Sequence, residues 1–576
     1  MDFFVNGEEG IKWEITPVVN DNGVETYRIF LQFSHCAIPK PVTILCKFPM
    51  REIYSTWSAL CARDRSVLQW FRTDGAKSSF YFGAPTISAV GFDGENVLTV
   101  SLSDSKTPME LSHRVNDFEE KGNMDCKIRL FSEDTEAMSQ YETYLRIDSR
   151  RLPLSQTLEQ VKFWWKQMLH TDCYVPAAAE DPLYSTWYNF HQQPRQDLLL
   201  KELTQAAADG FKTVIIDDGW QFPGEGTGDY RKCGDWSVSP DKFYDFKGFV
   251  AKIHQLGFKV MLWFPVPFVG YETEDYKKYA DRMLYNFDEQ QAGVVDVRYP
   301  EVRQYIINTY LRFVEAYQLD GLKLDFVDSF KMMPESPSYR EGMDCATVAD
   351  AVSALLREIV TAMTAINPEF LFEFRQNYVG PEIIQYCNML RVGDCAYDSL
   401  TNRISIADLR MLSADTAIHA DMLLWDKSEP VENCAIQLLN IIFSVPQISV
   451  LLTQCPEEQH NLLKAYLEYW QSNKDVLLHG VFCVENPEAN YSIISSENEE
   501  KKIAVLYSKN SYVLSDKQED IFNATSREIL YLDNPCQQVF SADVFDCCGN
   551  HLKSIEIPSG VTKVIVPRGG RIQKKI

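Results

Sequence analysis

The chain has 576 residues, 45% of them hydrophobic, enough for several buried cores, and no apolar run approaches the roughly 20 residues that cross a bilayer. Its 56 Lys and Arg against 81 Asp and Glu leave a formal charge of −25, a surface that repels nucleic-acid phosphates and anionic lipid headgroups. Fifteen scattered cysteines without a Cys-x-x-Cys pair argue for reduced thiols in a cytosol and against a disulfide framework, and nine dispersed histidines give no visible metal-ligand set. The opening stretch, MDFFVNGEEGIKWE, has neither a basic nor an apolar signal region, which places the chain in the cytoplasm.

From about residue 12 to 150 the pattern predicts strands. Tyr27–Phe33, Val42–Phe48 and Cys126–Phe131 are rich in β-branched and aromatic residues, and Ile87–Phe92 and Val97–Leu102 flank an Asp93-Gly94 turn that reads as an antiparallel hairpin. A helix follows at 155–169, with Leu158, Val161, Phe163, Trp164, Trp165 and Met168 forming a mainly apolar face.

After Pro182 strands and helices alternate. Tyr184–Tyr188 reads as a strand, 196–209 as a helix stopped by Gly210, and Phe211–Ile216 as the next strand. Strands then follow at Lys259–Phe264, Gly321–Asp325, Phe370–Arg375, Met389–Arg391, Thr416–His419 and Gln447–Val450, with helices from Pro300 to about 317 and at 347–365. Eight strands over roughly 300 residues is the count of a (β/α)8 barrel. Beyond about 480 short strands return at Ile503–Tyr507, Ile529–Leu532 and Val561–Val566, and the acidic stretch Ser495–Lys502 reads as a solvated hairpin loop. The fold class is therefore α/β: a (β/α)8 TIM barrel (183–480) flanked by an N-terminal β-sandwich (1–154), a linker helix (155–182) and a smaller C-terminal β-sandwich (481–576).

Charged and aromatic residues collect where successive barrel strands end. Trp187 follows the first, Asp217, Asp218 and Trp220 the second, and Trp263 ends the third; Lys323 and Asp325 end the fourth, Glu373 and Arg375 the fifth, and Arg391 and Asp394 the sixth. Packing alone explains this poorly, since carboxylates are rarely buried unless paired or used. Aromatic platforms with carboxylates suit a sugar ring, so these positions are read as a glycan pocket. Glycoside cleavage needs two carboxyl groups across the anomeric carbon, and the fourth and sixth strands place Asp325 and Asp394 to face one another over the mouth. An ionised Asp325 nearby is expected to raise the pKa of Asp394 and keep it protonated. The three tryptophans also fit a plain core role, Asp235-Trp236 a cap, and Asp328 a structural one.

The segments Ile215–Trp220, Gly234-Asp-Trp236 with Lys242-Phe243, Gly257–Phe264, Val295–Arg303, Leu322–Asp325, and Gly393-Asp394 with Asp398 and Arg403 resemble, in this order and spacing, glycoside hydrolase family 36 and its clan of α-galactosidases and α-N-acetylgalactosaminidases. The resemblance runs over nearly the whole chain. It implies a sandwich–barrel–sandwich architecture, a retaining double displacement without cofactor or metal, Asp325 as nucleophile, Asp394 as acid/base with Asp398 as the alternative, and Asp217, Asp218 and Lys323 as ligands of sugar hydroxyls. With Trp187, Trp220, Trp263, Arg375 and Arg391 these form the expected site, and the implied partner is an oligosaccharide or glycoconjugate, with no nucleic acid or membrane. Self-association into a homo-oligomer is compatible with the sequence. Three departures bear on the sugar: Glu373–Pro381 replaces the family's Cys and Gly-rich segment, Pro265-Val-Pro267 its Glu-Pro-Glu, and Leu324 its usual Trp. The expected activity is α-galactosidase; α-N-acetylgalactosaminidase, another α-glycosidase or transglycosylase akin to raffinose synthases, and a carbohydrate-binding relative without turnover are the alternatives.

Overall fold

A computed structural model describes residues 2–575 except 119–120, 222–225, 376 and 414–415. The barrel is an eight-stranded parallel sheet of Leu183–Ser185, Thr213–Ile216, Lys259–Pro265, Gly321–Asp325, Leu371–Arg375, Met389–Arg391, Ala417–His419 and Gln447–Ile448. The eighth strand pairs with the first, and parallel bridges His419–Val445 and Leu423–Ile448 nearly close the seam between seventh and eighth. Almost every strand residue is buried, as expected where helices cover the outside and side chains fill the inside. All eight predicted strands are present. The first ends two residues after Leu183, because the chain turns at Thr186 into a short helix, Trp187–Phe190, instead of continuing as a strand to Tyr188.

The helices form where the spacing places them. Gln196–Asp209 stops at Gly210, whose φ of 110° is left-handed and suits glycine; Pro300–Tyr317 starts with its proline in the first turn; Val348–Ile366 is capped by the Thr347 hydroxyl. A three-stranded antiparallel sheet of Phe268–Gly270, Ala292–Val295 and Met283–Phe287 follows the third barrel strand and has no counterpart in the predicted elements. Its strands have only three to five residues, too few for a period to register.

The first 150 residues form a five-stranded and a six-stranded antiparallel sheet around Ile29, Leu31, Ile44, Val100, Leu111 and Ile128. The predicted hairpin is Thr86–Gly91 with Asn96–Leu102. Helix Leu154–Leu169 buries Leu158, Val161 and Trp165, whose indole N–H donates to the Leu102 carbonyl at 2.7 Å, whereas Phe163, expected on the apolar face, is 59% exposed. After 480 a seven-stranded and a three-stranded sheet enclose Leu506, Ile521, Leu530 and Val544. Ser495 and Ser496 belong to strand Ile493–Glu497, which pairs with Lys501–Leu506, so the solvated turn is shorter than the stretch 495–502.

Both β regions are tied to one barrel helix, Ser399–Leu412. Its Asp408 accepts from the Trp57 indole at 2.8 Å, from Arg65 at 3.0 Å and from the Tyr491 hydroxyl, and the Arg65 guanidinium lies 4.3 Å from the Tyr491 ring centre. This buried cluster fixes the N-terminal segment 57–65 beside the C-terminal ends of the fifth and sixth strands. No helix among the described residues is long and apolar enough to cross a membrane, and no group of three or more His, Cys, Asp or Glu among them could hold a metal ion.

Candidate active site

The strand register assembles the centre. Trp263 pairs with Lys323, and Lys323 with Glu373, so these three stand level on neighbouring strands; Asp325 and Arg375, each two residues further along, point the same way one layer nearer the mouth. Asp325 is buried. Its carboxylate accepts the Trp263 indole N–H at 2.9 Å and the Phe326 backbone N–H at 2.8 Å, and it is ion-paired with Arg375 Nε. Burial raises its pKa, but Arg375 and Lys323 outweigh that and hold the carboxyl well below the usual range. Phe326 takes a left-handed φ of 60°, which turns the chain away directly after Asp325.

Lys323 Nζ lies 2.7 Å from Asp217 and 4.0 Å from Asp325, so it bridges the second and fourth strands. Burial opposes its charge, but Asp217, Asp325 and Glu373 raise its pKa on balance. Asp218 accepts from Gln192 at 2.7 Å and Gln221 at 2.8 Å, and burial pushes its carboxyl up to about 7. Both aspartates reach inward because the strand ends at Ile216. Gly219 has φ 104°, and a Cβ there would meet Gln192 Cα at 2.4 Å, so the turn requires glycine.

Arg391 is 1% exposed and engages three carboxylates: Asp394 at 2.9 Å, Glu373 at 3.7 Å, and Asp421. Expected as a substrate contact, it instead supports Asp394 from below, with its nitrogens turned to protein. Asp421 also accepts from the Tyr188 hydroxyl at 2.7 Å and the Cys395 N–H at 2.7 Å. The Asp394 side chain is 53% exposed. Burial acts to raise its pKa, but Arg391, Lys323 and Arg375 together lower it despite Asp325, so the expected upward shift is corrected to a downward one. Three nearby cations outweigh one anion. Asp398 caps helix Ser399–Leu412 by accepting the Thr401 N–H at 3.1 Å and pairs with Arg63. Glu373, buried next to Arg391 and hydrogen-bonded to Gln447 at 2.5 Å, is raised by burial to about 7.

Trp263 lies in the site, with Tyr230 stacked at 5.8 Å. Trp187 is half-buried in the short helix after the first strand, edge-on to His191. Trp220 is a correction: fully buried, it packs between Trp236, Phe264 and Phe313 outside the barrel wall and donates to the Trp263 carbonyl, leaving no face for a ligand. Asp235 caps the helix Glu274–Lys278 by accepting its first N–H groups at 2.9 and 3.0 Å. Asp328 accepts the Asn377 amide at 2.6 Å beside Arg375, at the edge of the site. Gln192, Gln221, Tyr230, Tyr188 and Asp421 were not singled out in the sequence. Only a polar residue directly past a barrel strand could have signalled them, and Asp421, two residues beyond His419, is the one that carries that signal.

The site is thus that of a parallel (β/α)8 barrel with buried carboxylates and basic side chains at its strand ends. A family model described as melibiase matches residues 177–407. Among curated proteins, α-galactosidase Mel36A of Lactobacillus acidophilus is 26% identical over 197 residues, 33% of this chain and 26% of that protein. The A type blood α-D-galactosamine galactosaminidase of Flavonifractor plautii is 25% identical over 123 residues, 20% of this chain and 10% of that protein. These matches span under a third of the curated relatives' length. The crystal structure of the GH36 α-galactosidase AgaA of Geobacillus stearothermophilus superposes with a TM-score of 0.64 at 16% identity, covering 98% of this chain and 82% of that one, a likeness of fold. Residues 177–407 thus carry a melibiase match, and the fold over nearly the whole chain is that of a GH36 α-galactosidase.

Proposed function

We propose that the protein is a retaining α-glycosidase that removes terminal α-galactose from an oligosaccharide or glycoconjugate, with Asp325 as nucleophile and Asp394 as acid/base. The observation that carries this reading is the grip on Asp325: a buried carboxylate at a barrel strand end, kept ionised by Arg375, Lys323 and the Trp263 indole. An anion so prepared is what attack on an anomeric carbon needs. Asp394 is the exposed carboxylate beside it, whereas Asp398 is occupied as a helix cap. Asp217, Asp218 and Lys323 present two acceptors and a cation to sugar hydroxyls, and the Trp263–Tyr230 pair offers an aromatic floor.

Two AgaA variants have been crystallised with raffinose and stachyose, which supports an α-galactoside of a neutral oligosaccharide as the substrate class. The 15 scattered cysteines, without a Cys-x-x-Cys pair, support a reducing, cytoplasmic setting. Asp325→Asn should lower kcat on an aryl α-galactoside by several orders of magnitude while leaving thermal unfolding close to wild type. A variant that keeps more than about a tenth of wild-type kcat, under roughly 1.4 kcal/mol of effect, refutes the nucleophile assignment.

One contact favours a second reading, a sugar-binding relative without turnover: Arg375 is paired directly with Asp325. A ligand must share Asp325 with that guanidinium. Aryl α-galactoside turnover by the wild type, set against binding of galactose without turnover, separates the two.

A further inference from the structure

At the amino-terminal end of the barrel strands, opposite the mouth that holds Asp325, lies a cavity of about 580 Å³. Its walls are the linker helix Leu154–Leu169, the stretch 175–180 that leads into the first strand, the junction between helix Ser399–Leu412 and the seventh strand, and the start of the C-terminal β region. That face of such a barrel serves stability and not catalysis, so the cavity is no part of the sugar site. Its most polar group is Arg410. The guanidinium donates to the carbonyls of Phe443 and Leu478, each at 2.9 Å, and of Leu477, and its Cζ lies 4.3 Å from the Phe482 ring centre. Three of its five N–H donors are used in this way, and no carboxylate pairs with it among the described residues. Leu477 and Leu478 end the helix Lys474–His479, and carbonyls at a helix end answer about half an elementary charge at most. Burial pulls the pKa of Arg410 down to about 9.

We propose that this cavity is a second ligand site, and that it takes a small anion: a phosphate or carboxylate group carried on a sugar-sized, hydroxylated frame. Three properties set the ligand class. The first is charge. A buried cation without a full counter-charge is costly, and an oxyanion on the two remaining N–H donors of Arg410 would relieve it. Lys162, half-buried on the linker-helix wall, adds a second cation with no ion pair among the described residues, while Glu180 is already answered by Lys474 at 3.2 Å and His479 at 3.0 Å. Only the exposed Glu159 then stands against Arg410 and Lys162. The second is hydrogen bonding. Thr416 and Ser155, 7% and 6% exposed, line the walls with hydroxyls short of partners: that of Thr416 has none, and that of Ser155 has beside it only the Cys483 thiol, a weak one. Buried hydroxyls are seldom left so, and they suit a ligand with hydroxyls of its own. The third is size, since the volume falls within the roughly 300–1,000 Å³ of small-molecule pockets and holds a sugar ring with its charged group.

The test is isothermal titration calorimetry of the full chain with glucose 6-phosphate, gluconate, inorganic phosphate and glucose. Glucose 6-phosphate or gluconate should bind saturably with a Kd below about 1 mM, and the tighter of the two identifies the anionic group. Arg410→Gln should weaken that ligand at least tenfold, and Lys162→Gln, at a helix position without an ion pair, at least threefold. A cooperative thermal transition reports that each variant has folded; should Arg410→Gln lack one, Lys162→Gln decides alone. No saturable binding of either anion by the wild type, or affinities unmoved in the folded variants, overturns the site. Glucose binding as tightly as its phosphate overturns the anionic class, and inorganic phosphate binding as tightly overturns the need for a frame. Turnover enters none of these readouts, so the result is independent of the glycosidase reading.

Discussion

Replacing Arg375 by Gln removes the group that most lowers the pKa of Asp325, and the consequence can be worked from the contacts. Three influences act on that carboxyl: burial, which raises its pKa, and Arg375 and Lys323, which lower it. Lys323 is 4.0 Å away and is held more closely, at 2.7 Å, by Asp217, so it compensates only in part. An arginine beside an aspartate lowers its pKa by about one to three pH units. The acid limb of kcat/KM should therefore move up by that amount, about 1.4 to 4 kcal/mol, from well below the ordinary carboxylate range toward it. An aryl α-galactoside is the substrate for this assay, because its departure needs no proton and the limb then reports the nucleophile alone. The stability sign runs the same way. A carboxyl whose folded pKa is depressed stabilises the fold above its unfolded value near 3.9, and that contribution is lost as pH falls through the folded pKa. The variant should thus be destabilised most at neutral pH, by about 3–5 kcal/mol if Asp325 stays ionised without its partner, and the gap should narrow only as pH falls below the variant's carboxyl pKa toward that of the wild type. Superimposable pH profiles for wild type and Arg375→Gln would refute this account of how Asp325 is kept ionised.

Asp394→Ala should cost about 10² to 10⁴-fold on substrates with poor leaving groups and far less on aryl glycosides, with azide restoring deglycosylation as an α-glycosyl azide; azide rescue at Asp398→Ala alone would move the role to Asp398. With Asp394 lowered by its cations, wild-type kcat/KM on a disaccharide should fall as pH rises above the carboxylate range while the aryl substrate stays flat, and parallel profiles on the two substrates would count against it. Asp408→Asn should destabilise the protein by about 3–5 kcal/mol by leaving Arg65 buried beside a neutral amide, read as a lower midpoint in thermal unfolding; an unchanged midpoint would show that the cluster does not hold the β regions to the barrel.

The barrel was legible because each of its signals is local. Buried parallel strands read as short apolar runs, Gly210 and Pro300 punctuate their helices, and an Asp or Arg at a strand end stands out against the run before it. Where the sequence misled, the cause was a neighbour remote in the chain. Trp220 looks like a sugar platform until Phe313, on the helix after the third strand, closes over it. Arg391 looks like a ligand contact until Asp421, 30 residues on, and Glu373, 18 residues back, occupy its nitrogens. The Asp408 cluster is invisible in any window, since Trp57 and Tyr491 lie 351 and 83 residues from it.

The sign of the Asp394 shift shows what pairwise reasoning omits. Considering only the two carboxylates gives an acid/base with a raised pKa, yet the structure sets Arg391, Lys323 and Arg375 around Asp394, and their sum exceeds the repulsion from Asp325. A proton donor at that position has to be recruited by the substrate, whose ring replaces water around the exposed half of the Asp394 side chain and so penalises its charge. Under the proposed double displacement, covalent occupation of Asp325 would remove its negative charge, and the same three cations would then favour ionised Asp394, the form that activates water. An arrangement of cations that makes the empty site a poor acid would thus serve the second half of a double displacement, with proton donation in the first half dependent on how completely the sugar and its leaving group exclude solvent.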